Sequence, residues 1–290
     1  MEKQNSHTKH LSQLVLATLF ISTSGVLGKY IKLSPEVIVW FRAAIAMMFL
    51  FGFCKVKNIS LKVKSQKDRF TFIIAGVFMA LHWVTYFYAL KLSNVAVGML
   101  SLYTYPVITT FLEPFFFKNK LSKVHLLLGA MVLLGVYILA PEMHLESSMI
   151  QGIAFGVFSA FCYAIRFLLM KKLVVQYHGS MLMFYQMLIV AFVTIPYLFL
   201  KDISNISHQY PYVLILGILT TAIGHTLLTL KLKHFKASTA SIISSIQPVF
   251  GIVLAFLFLN EVPKLQTFFG GLLILSTVII ESIRSKKSKA

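Results

Sequence analysis

Acidic residues are scarce in this chain: nine Asp and Glu stand among 290 residues, against 27 Lys and Arg. Glu2, Glu36, Asp68, Glu142, Glu146, Asp202 and Glu261 sit at the ends of apolar stretches or in loops, and Glu113 and Glu281 lie near stretch ends. None falls in the middle of a stretch, where many membrane proton relays put a carboxylate. Cysteine is equally sparse. Cys54 and Cys162 are the only two, which excludes a disulfide framework and offers no metal site; both are expected to be packing residues. There is no Gly-rich phosphate loop, so ATP is not the direct driver. His-Glu-x-x-His, Gly-x-Ser-x-Gly and an intramembrane Asp pair are all missing, which argues against a membrane-embedded enzyme. No cofactor is implied. The longest loop, residues 55–69, is short and basic. It leaves little surface for a receptor or assembly protein, and no segment resembles an ion filter.

What the chain has is apolar sequence. Hydrophobic residues make up 58%, mean hydropathy is +0.80 and charged residues are 12%, about half the roughly 25% usual in soluble domains. Lipid can accommodate that surface if each backbone group is bonded within its own helix or a closed barrel. The stretches have the length of helices that cross a bilayer rather than of alternating strands. They fall at 11–31, 35–54, 70–90, 94–117, 126–140, 150–170, 180–200, 211–230, 237–259 and 266–283. The expected fold is an all-α membrane protein of ten transmembrane helices. Nothing at the start resembles a cleavable signal peptide, and the first stretch is expected to act as an uncleaved anchor.

The loops alternate in charge. With the N-terminus placed inside, lysine and arginine cluster in the inner segments: Lys55 to Arg69, Lys118 to Lys123, Lys231 to Lys236 and Arg284 to Lys289 among them. The outer segments carry Lys29, Lys32, Lys91, Lys201 and Lys264. This bias places both termini in the cytoplasm and the protein in the cell (inner) membrane. It also accounts for the net charge of +18 without a nucleic-acid partner; the partners are the lipid bilayer and a small-molecule substrate. A shift of 142 residues lays Leu90-Lys91 on Leu232-Lys233, Pro106-Val107 on Pro248-Val249, Leu112 on Leu254 and Gly129 on Gly271. Five stretches per half is an odd number, so the two copies must face opposite ways. Inverted repeats of this kind support alternating access to a site near the midplane.

Ser34-Pro35-Glu36 with Trp40-Phe41-Arg42-Ala43, the run Leu81-His82-Trp83-Val84-Thr85-Tyr86-Phe87-Tyr88-Ala89-Leu90, and the paired Pro106 and Pro248 segments together resemble EamA-type members of the drug/metabolite transporter superfamily. The resemblance covers nearly the whole chain. It implies two five-helix repeats, residues 1–145 and 146–290, around a central cavity, and transport of a small metabolite such as an amino acid, often by export. Family members often carry an acid at the turn after the fourth and ninth helices. Asn260-Glu261 keeps it in the second half, whereas the first half reads Lys118-Asn119-Lys120 with Glu113 one turn earlier beside Pro114. This departure argues against a symmetrical role for the two carboxylates.

Candidate site residues follow from position. Arg42 lies roughly 10 Å into the second stretch at 1.5 Å per residue, where a charge is costly and faces a cavity or a partner. Its planar fork suits a substrate carboxylate; snorkelling or a helix-end carbonyl is the competing reading. Arg166, nearer a stretch end, is expected to snorkel. His82 and Tyr86 share a helix face with Trp83 beside them, and Tyr103 and Tyr105 approach a kink at Pro106. These rings suit a pocket for an amphiphilic or aromatic metabolite, against a reading as helix packing. Ser238, Thr239, Ser241, Ser244 and Ser245 suit close helix packing in lipid or a polar lining beside the break at Pro248. Gln247, which matches Tyr105 in the shifted alignment, is the expected contact there. Gln186 and His225 are secondary candidates. Pro106 and Pro248 are expected hinges. The scarcity of buried acids favours facilitated transport or exchange, with proton coupling through His82, His225 or Glu113 as the alternative.

Overall fold

The computed structural model describes residues 2–118, 123–139, 148–262 and 265–287. Asn119, Lys120, the acidic loop with Glu142 and Glu146, and Lys264 lie outside the described residues. Among those described, the regular structure is helical. The elements are α1 (Glu2–Tyr30), α2 (Pro35–Val56), α3 (Gln66–Leu92), α4 (Val95–Leu102), α5 (Tyr105–Phe117), α6 (Lys123–Leu139), α7 (Ser148–Leu173), α8 (Gly179–Thr194), α9 (Tyr197–Leu200), α10 (Ile206–Ile215), a π-helix (Leu216–His225), α11 (Thr226–Leu232), α12 (Ala237–Ser244), α13 (Gln247–Leu259) and α14 (Leu265–Lys287). Helix makes up most of the described part of every apolar stretch.

Eight helical segments are long and apolar enough to cross a membrane: Thr8–Tyr30, Pro35–Val56, Gln66–Leu92, Val95–Phe117, Ser148–Leu173, Gly179–Leu200, Ile206–Leu232 and Ala237–Leu259. The expected ten crossings therefore rest further on α6, whose apolar part Lys123–Gly135 is shorter, and on α14. Large apolar side chains such as Phe115, Phe192, Phe199 and Phe258 stand exposed on the outside. Such a surface suits a lipid environment.

Local sequence explains the ends. Pro35 starts α2, where its missing N–H costs nothing. Ser65 accepts from the Asp68 amide at 3.1 Å and Asn94 accepts from Val97 at 2.8 Å, each an N-cap. Two long helices are broken, at Tyr103-Thr104 between α4 and α5 and at Ser245-Ile246 between α12 and α13. Each break precedes a proline, Pro106 or Pro248, in the first turn of the second segment. Lacking an N–H, each proline leaves a carbonyl of the preceding turn without its helical donor.

The halves share this geometry at one spacing. α12 begins 142 residues after α4, at Ala237 against Val95, and α13 begins 142 after α5, at Gln247 against Tyr105. Both broken helices end in a left-handed residue, Lys118 at φ 53° and Asn260 at φ 55°. Lys29 Nζ donates to Leu90 O at 3.0 Å, and Lys171 Nζ donates to Leu232 O at 2.7 Å. Both lysines thus neutralise the carbonyl end of a helix. The packing agrees: α3 lies along α7, the π-helix along α1, α2 against α8, and α6 against α14. Backbones come close where side chains are small. A Cβ at Gly156 would collide with Ser101 Cβ, fixing α7 tightly against α4.

Candidate functional site

Seven of the residues singled out by the sequence meet at one central cavity. His82, Trp83 and Tyr86 reach it from α3, Tyr103 and Tyr105 from the first helix break, Gln247 from the start of α13 and His225 from the end of the π-helix. Ile21 and Ser24 of α1, Leu102, and Tyr163 of α7 complete the wall. The cavity is small, about 10 Å3, room for about one water. A wider groove of about 410 Å3 lies between α1, α10 and α13, lined by Val26, Leu27, Ile215, Leu254 and Phe258 together with Thr23, Tyr30 and Tyr212. Its wall is mostly apolar, and its polar members Thr23, Tyr30 and Tyr212 bond to Thr220 or to one another, so it is less suited to recognise a metabolite.

Rings pack closely around the cavity. His82 and Tyr163 have ring centroids 4.4 Å apart, Tyr105 and Tyr163 4.7 Å, Tyr103 and Tyr105 5.4 Å, and Trp83 and His225 5.5 Å. Such pairs favour defined geometries over free rotation. His82 is oriented from behind. Ser159 Oγ donates to His82 O at 2.8 Å and lies 2.7 Å from Nδ1. The serine has one proton, so its oxygen accepts from Nδ1–H. In the neutral ring Nε2 is then the acceptor.

The remaining candidates stand outside this wall. Arg42 is fully buried behind Trp83, its guanidinium carbon 3.6 Å from the ring centroid. Its Nε and Nη2 donate to Thr221 Oγ1 at 3.0 and 2.8 Å. Thr221 Oγ1 in turn donates to Leu216 O, five residues back, at 2.9 Å. Arg42 is thereby tied to the π-helix. Arg166 does not snorkel: it too is 0% exposed, and its Nε and Nη2 donate to Gln186 Oε1 at 3.0 and 2.8 Å. The reason is its helix face. Ser159, Tyr163 and Arg166 follow one another at spacings of four and three and point inward together. Gln186 therefore serves Arg166 and does not line the cavity. The Ser241, Ser244 and Ser245 hydroxyls donate to carbonyls of their own helix, which fits close packing of α12.

Glu113 is a cap. Its two carboxylate oxygens accept from the Ala237 and Ser238 amides at 2.9 and 3.1 Å, at the start of α12. Glu261, just past α13, accepts from the Val95 amide at 3.2 Å, at the start of α4. Each broken helix thus supplies the carboxylate that caps the other, where exposed N–H groups and the helix dipole favour an anion. The role is parallel after all. Glu113 reaches from one turn earlier what Glu261 reaches from the terminal turn. The Glu113 clasp lies at the lysine-rich end of the bundle and the Glu261 clasp at the opposite end. Near the first, Glu281 accepts from Thr239 Oγ1 at 2.7 Å and from Arg284, with His125 3.3 Å away.

The residues not foreseen are Tyr163, Ser24 and the π-helix. Tyr163 carried a readable signal in the Ser159-Tyr163-Arg166 face; Ser24 carried none beyond being small and polar. The π-helix could be sought in Thr220-Thr221 followed by Gly224-His225, since such bulges gather at functional sites.

An all-helical membrane bundle with a polar, ring-walled cavity between two broken helices defines a multi-pass membrane transporter. The EamA-like transporter family matches this chain over residues 9–140 and again over 150–283, and the chain belongs to that family. It is 24% identical to the pseudopaline exporter CntI of Pseudomonas aeruginosa over 282 residues, covering 95% of this chain and 97% of that one. It is 24% identical to the uncharacterized transporter YxxF of Bacillus subtilis over 280 residues, 94% and 89% of the two chains. An S-adenosylmethionine uptake transporter of Rickettsia conorii is 21% identical over 281 residues, 94% and 92%. A crystal structure with 17% identity superposes with a TM-score of 0.77 over 95% of this chain and 98% of that one, so the two share a fold. The protein is a transporter rather than an enzyme. A membrane transporter takes a small-molecule substrate and works in lipid.

Proposed function

We propose that this protein carries a small metabolite, of amino-acid size, across the cell membrane by alternating access. The reading takes ten crossing helices as two inverted five-helix repeats, residues 1–145 and 146–290, with α6 and α14 completing the eight longer segments. The observation that carries it is the reciprocal capping of the two broken helices, Glu113 on Ala237 and Glu261 on Val95. A cavity with a clasp at each end suits a carrier that opens one end at a time. The shared spacing of helix breaks, left-handed ends and Lys29 and Lys171 caps supports the repeat.

In this reading His82, Trp83, Tyr86, Tyr105 and Gln247 contact the substrate, with Tyr103 and His225 closing the wall. Arg42 acts from behind Trp83, and Gln186 and Ser244 hold neighbouring elements. The halves rock about Pro106 and Pro248. The lysine-rich face and both termini are cytoplasmic, following the charge bias. Export is the direction we infer, by analogy with the pseudopaline exporter. The absence of a cavity-lining carboxylate among the described residues favours facilitated transport or exchange. His82 and His225 on the wall favour proton coupling as the second reading.

The test is uptake of labelled amino acids and other small metabolites into liposomes holding the purified protein, with and without a proton gradient. Saturable uptake without a gradient supports a facilitative carrier. Uptake only with a gradient supports the proton-coupled reading. No uptake of any compound contradicts transport of this class.

A further inference from the structure

The centre of this molecule holds positive charge without a counter-ion. Arg42 and Arg166 are both 0% exposed, and a guanidinium stays charged in proteins. Among the described residues neither is bonded to a carboxylate. Their partners are neutral: Thr221 Oγ1 for Arg42, and Gln186 Oε1 and Met183 Sδ for Arg166. Each keeps one buried terminal nitrogen, Nη1, with no hydrogen-bond partner. Each also backs a ring of the cavity wall, Arg42 at 3.6 Å from the Trp83 centroid and Arg166 at 5.7 Å from that of Tyr163. Two unneutralised cations therefore flank the same small space, one ring behind its surface. On the wall itself His225 Nδ1 is also unpartnered.

The acids of the bundle make their hydrogen bonds elsewhere. Glu113 caps α12, Glu261 caps α4, Glu36 accepts from Tyr88 at 2.6 Å, and Glu281 is held by Thr239 and Arg284. No carboxylate lines the cavity among the described residues. A buried charge normally finds an opposite charge or a full set of hydrogen bonds. Here it has neither, and each orphaned buried donor calls for an explanation. An occupant of the cavity that brings negative charge answers the two cations through the rings of the wall, and its polar atoms can pair with His225 on the wall itself.

Resting on the transport reading above, we infer that the substrate is a small organic anion bearing carboxylate groups, selected by the paired fields of Arg42 and Arg166 across the cavity. A neutral or cationic molecule of the same size leaves the two charges unanswered, and a cation is repelled by both.

The test needs no guess at the compound. Liposomes holding the full chain are incubated in a whole-cell metabolite extract, and the trapped metabolites are identified by mass spectrometry against empty liposomes. Carboxylate-bearing anions are expected to be enriched at least tenfold over neutral and cationic metabolites. Arg42→Gln and Arg166→Gln are expected to lose that enrichment by tenfold or more, and Arg42→Lys and Arg166→Lys to keep part of it. Size-exclusion profiles and thermal unfolding check that each variant is folded. Where a Gln variant is not folded, the corresponding Lys variant carries the comparison, and a rate indifferent to an anion's charge in it goes against the inference. Enrichment of neutral or cationic metabolites overturns the inference while transport stands. Folded Gln variants that carry anions at the unaltered rate overturn it too, leaving the arginines as scaffolding. No enrichment of any metabolite overturns the transport reading, and the substrate class with it.

Discussion

Glu113 accepts a hydrogen bond from the Ala237 amide at 2.9 Å, so the end of one broken helix caps the beginning of the other across 124 residues. Glu261 does the same for Val95 at the opposite end. In the alternating-access reading proposed above, opening at one end releases the clasp at that end.

Removing a clasp should therefore favour opening at that end. Glu113→Gln is expected to cost on the order of 1 kcal/mol, as loss of a helix N-cap does, and to change the transport rate severalfold. Glu261→Gln should have a smaller effect on stability, since it makes one bond where Glu113 makes two. Thermal unfolding in detergent and initial uptake rates check both.

Arg42→Ala is expected to abolish transport, at least a hundredfold, while membrane insertion persists. The substitution removes the charge behind Trp83 and releases Thr221 of the π-helix. Thr221→Val keeps the charge but strips its acceptor, and should cost about 1–3 kcal/mol for the unsatisfied donors. Uptake and unfolding measured on both separate the charge from the anchor. Full activity in Arg42→Ala contradicts its role.

Much of this is legible in the sequence. Hydropathy marks which residues leave water, and the helices lie where it put them. Proline at 106 and 248 marked both breaks, and the spacing of His82 and Tyr86 marked one wall of the cavity. What hydropathy does not report is which face of a helix turns inward. Arg166 read as a snorkelling residue because it lies near a stretch end, yet Ser159, Tyr163 and Arg166 form an interior face. Partners across the bundle have no local signal: nothing near Glu113 announces Ala237, and nothing near Arg42 announces Thr221. The π-helix changes the angular register within a stretch, and a periodicity of 3.6 cannot find it.

Gln247→Leu should raise the apparent KM about tenfold with little change in stability. Gln247 lines the cavity, and a hydrogen bond to a charged substrate group is worth about 1.5–3 kcal/mol. Concentration-dependent uptake checks it; an unchanged KM removes Gln247 from the substrate contacts.

Lys29→Met and Lys171→Met test the equivalence of the halves. Each lysine holds the carbonyl end of a helix, at Leu90 and at Leu232. Both substitutions are expected to lower stability by similar amounts, about 1–2 kcal/mol each. A large loss in one and none in the other argues against equivalent roles.

Labelling of a cavity residue from the two sides of the membrane bears most directly on alternating access. Gln247→Cys, in a chain with Cys54→Ala and Cys162→Ala, is treated in sealed vesicles with a membrane-impermeant thiol reagent applied to one face at a time. Labelling is expected from both faces, with Glu113→Gln favouring the lysine-rich face and Glu261→Gln the other. Labelling from a single face, unmoved by either substitution, contradicts a cavity that opens alternately at its two ends.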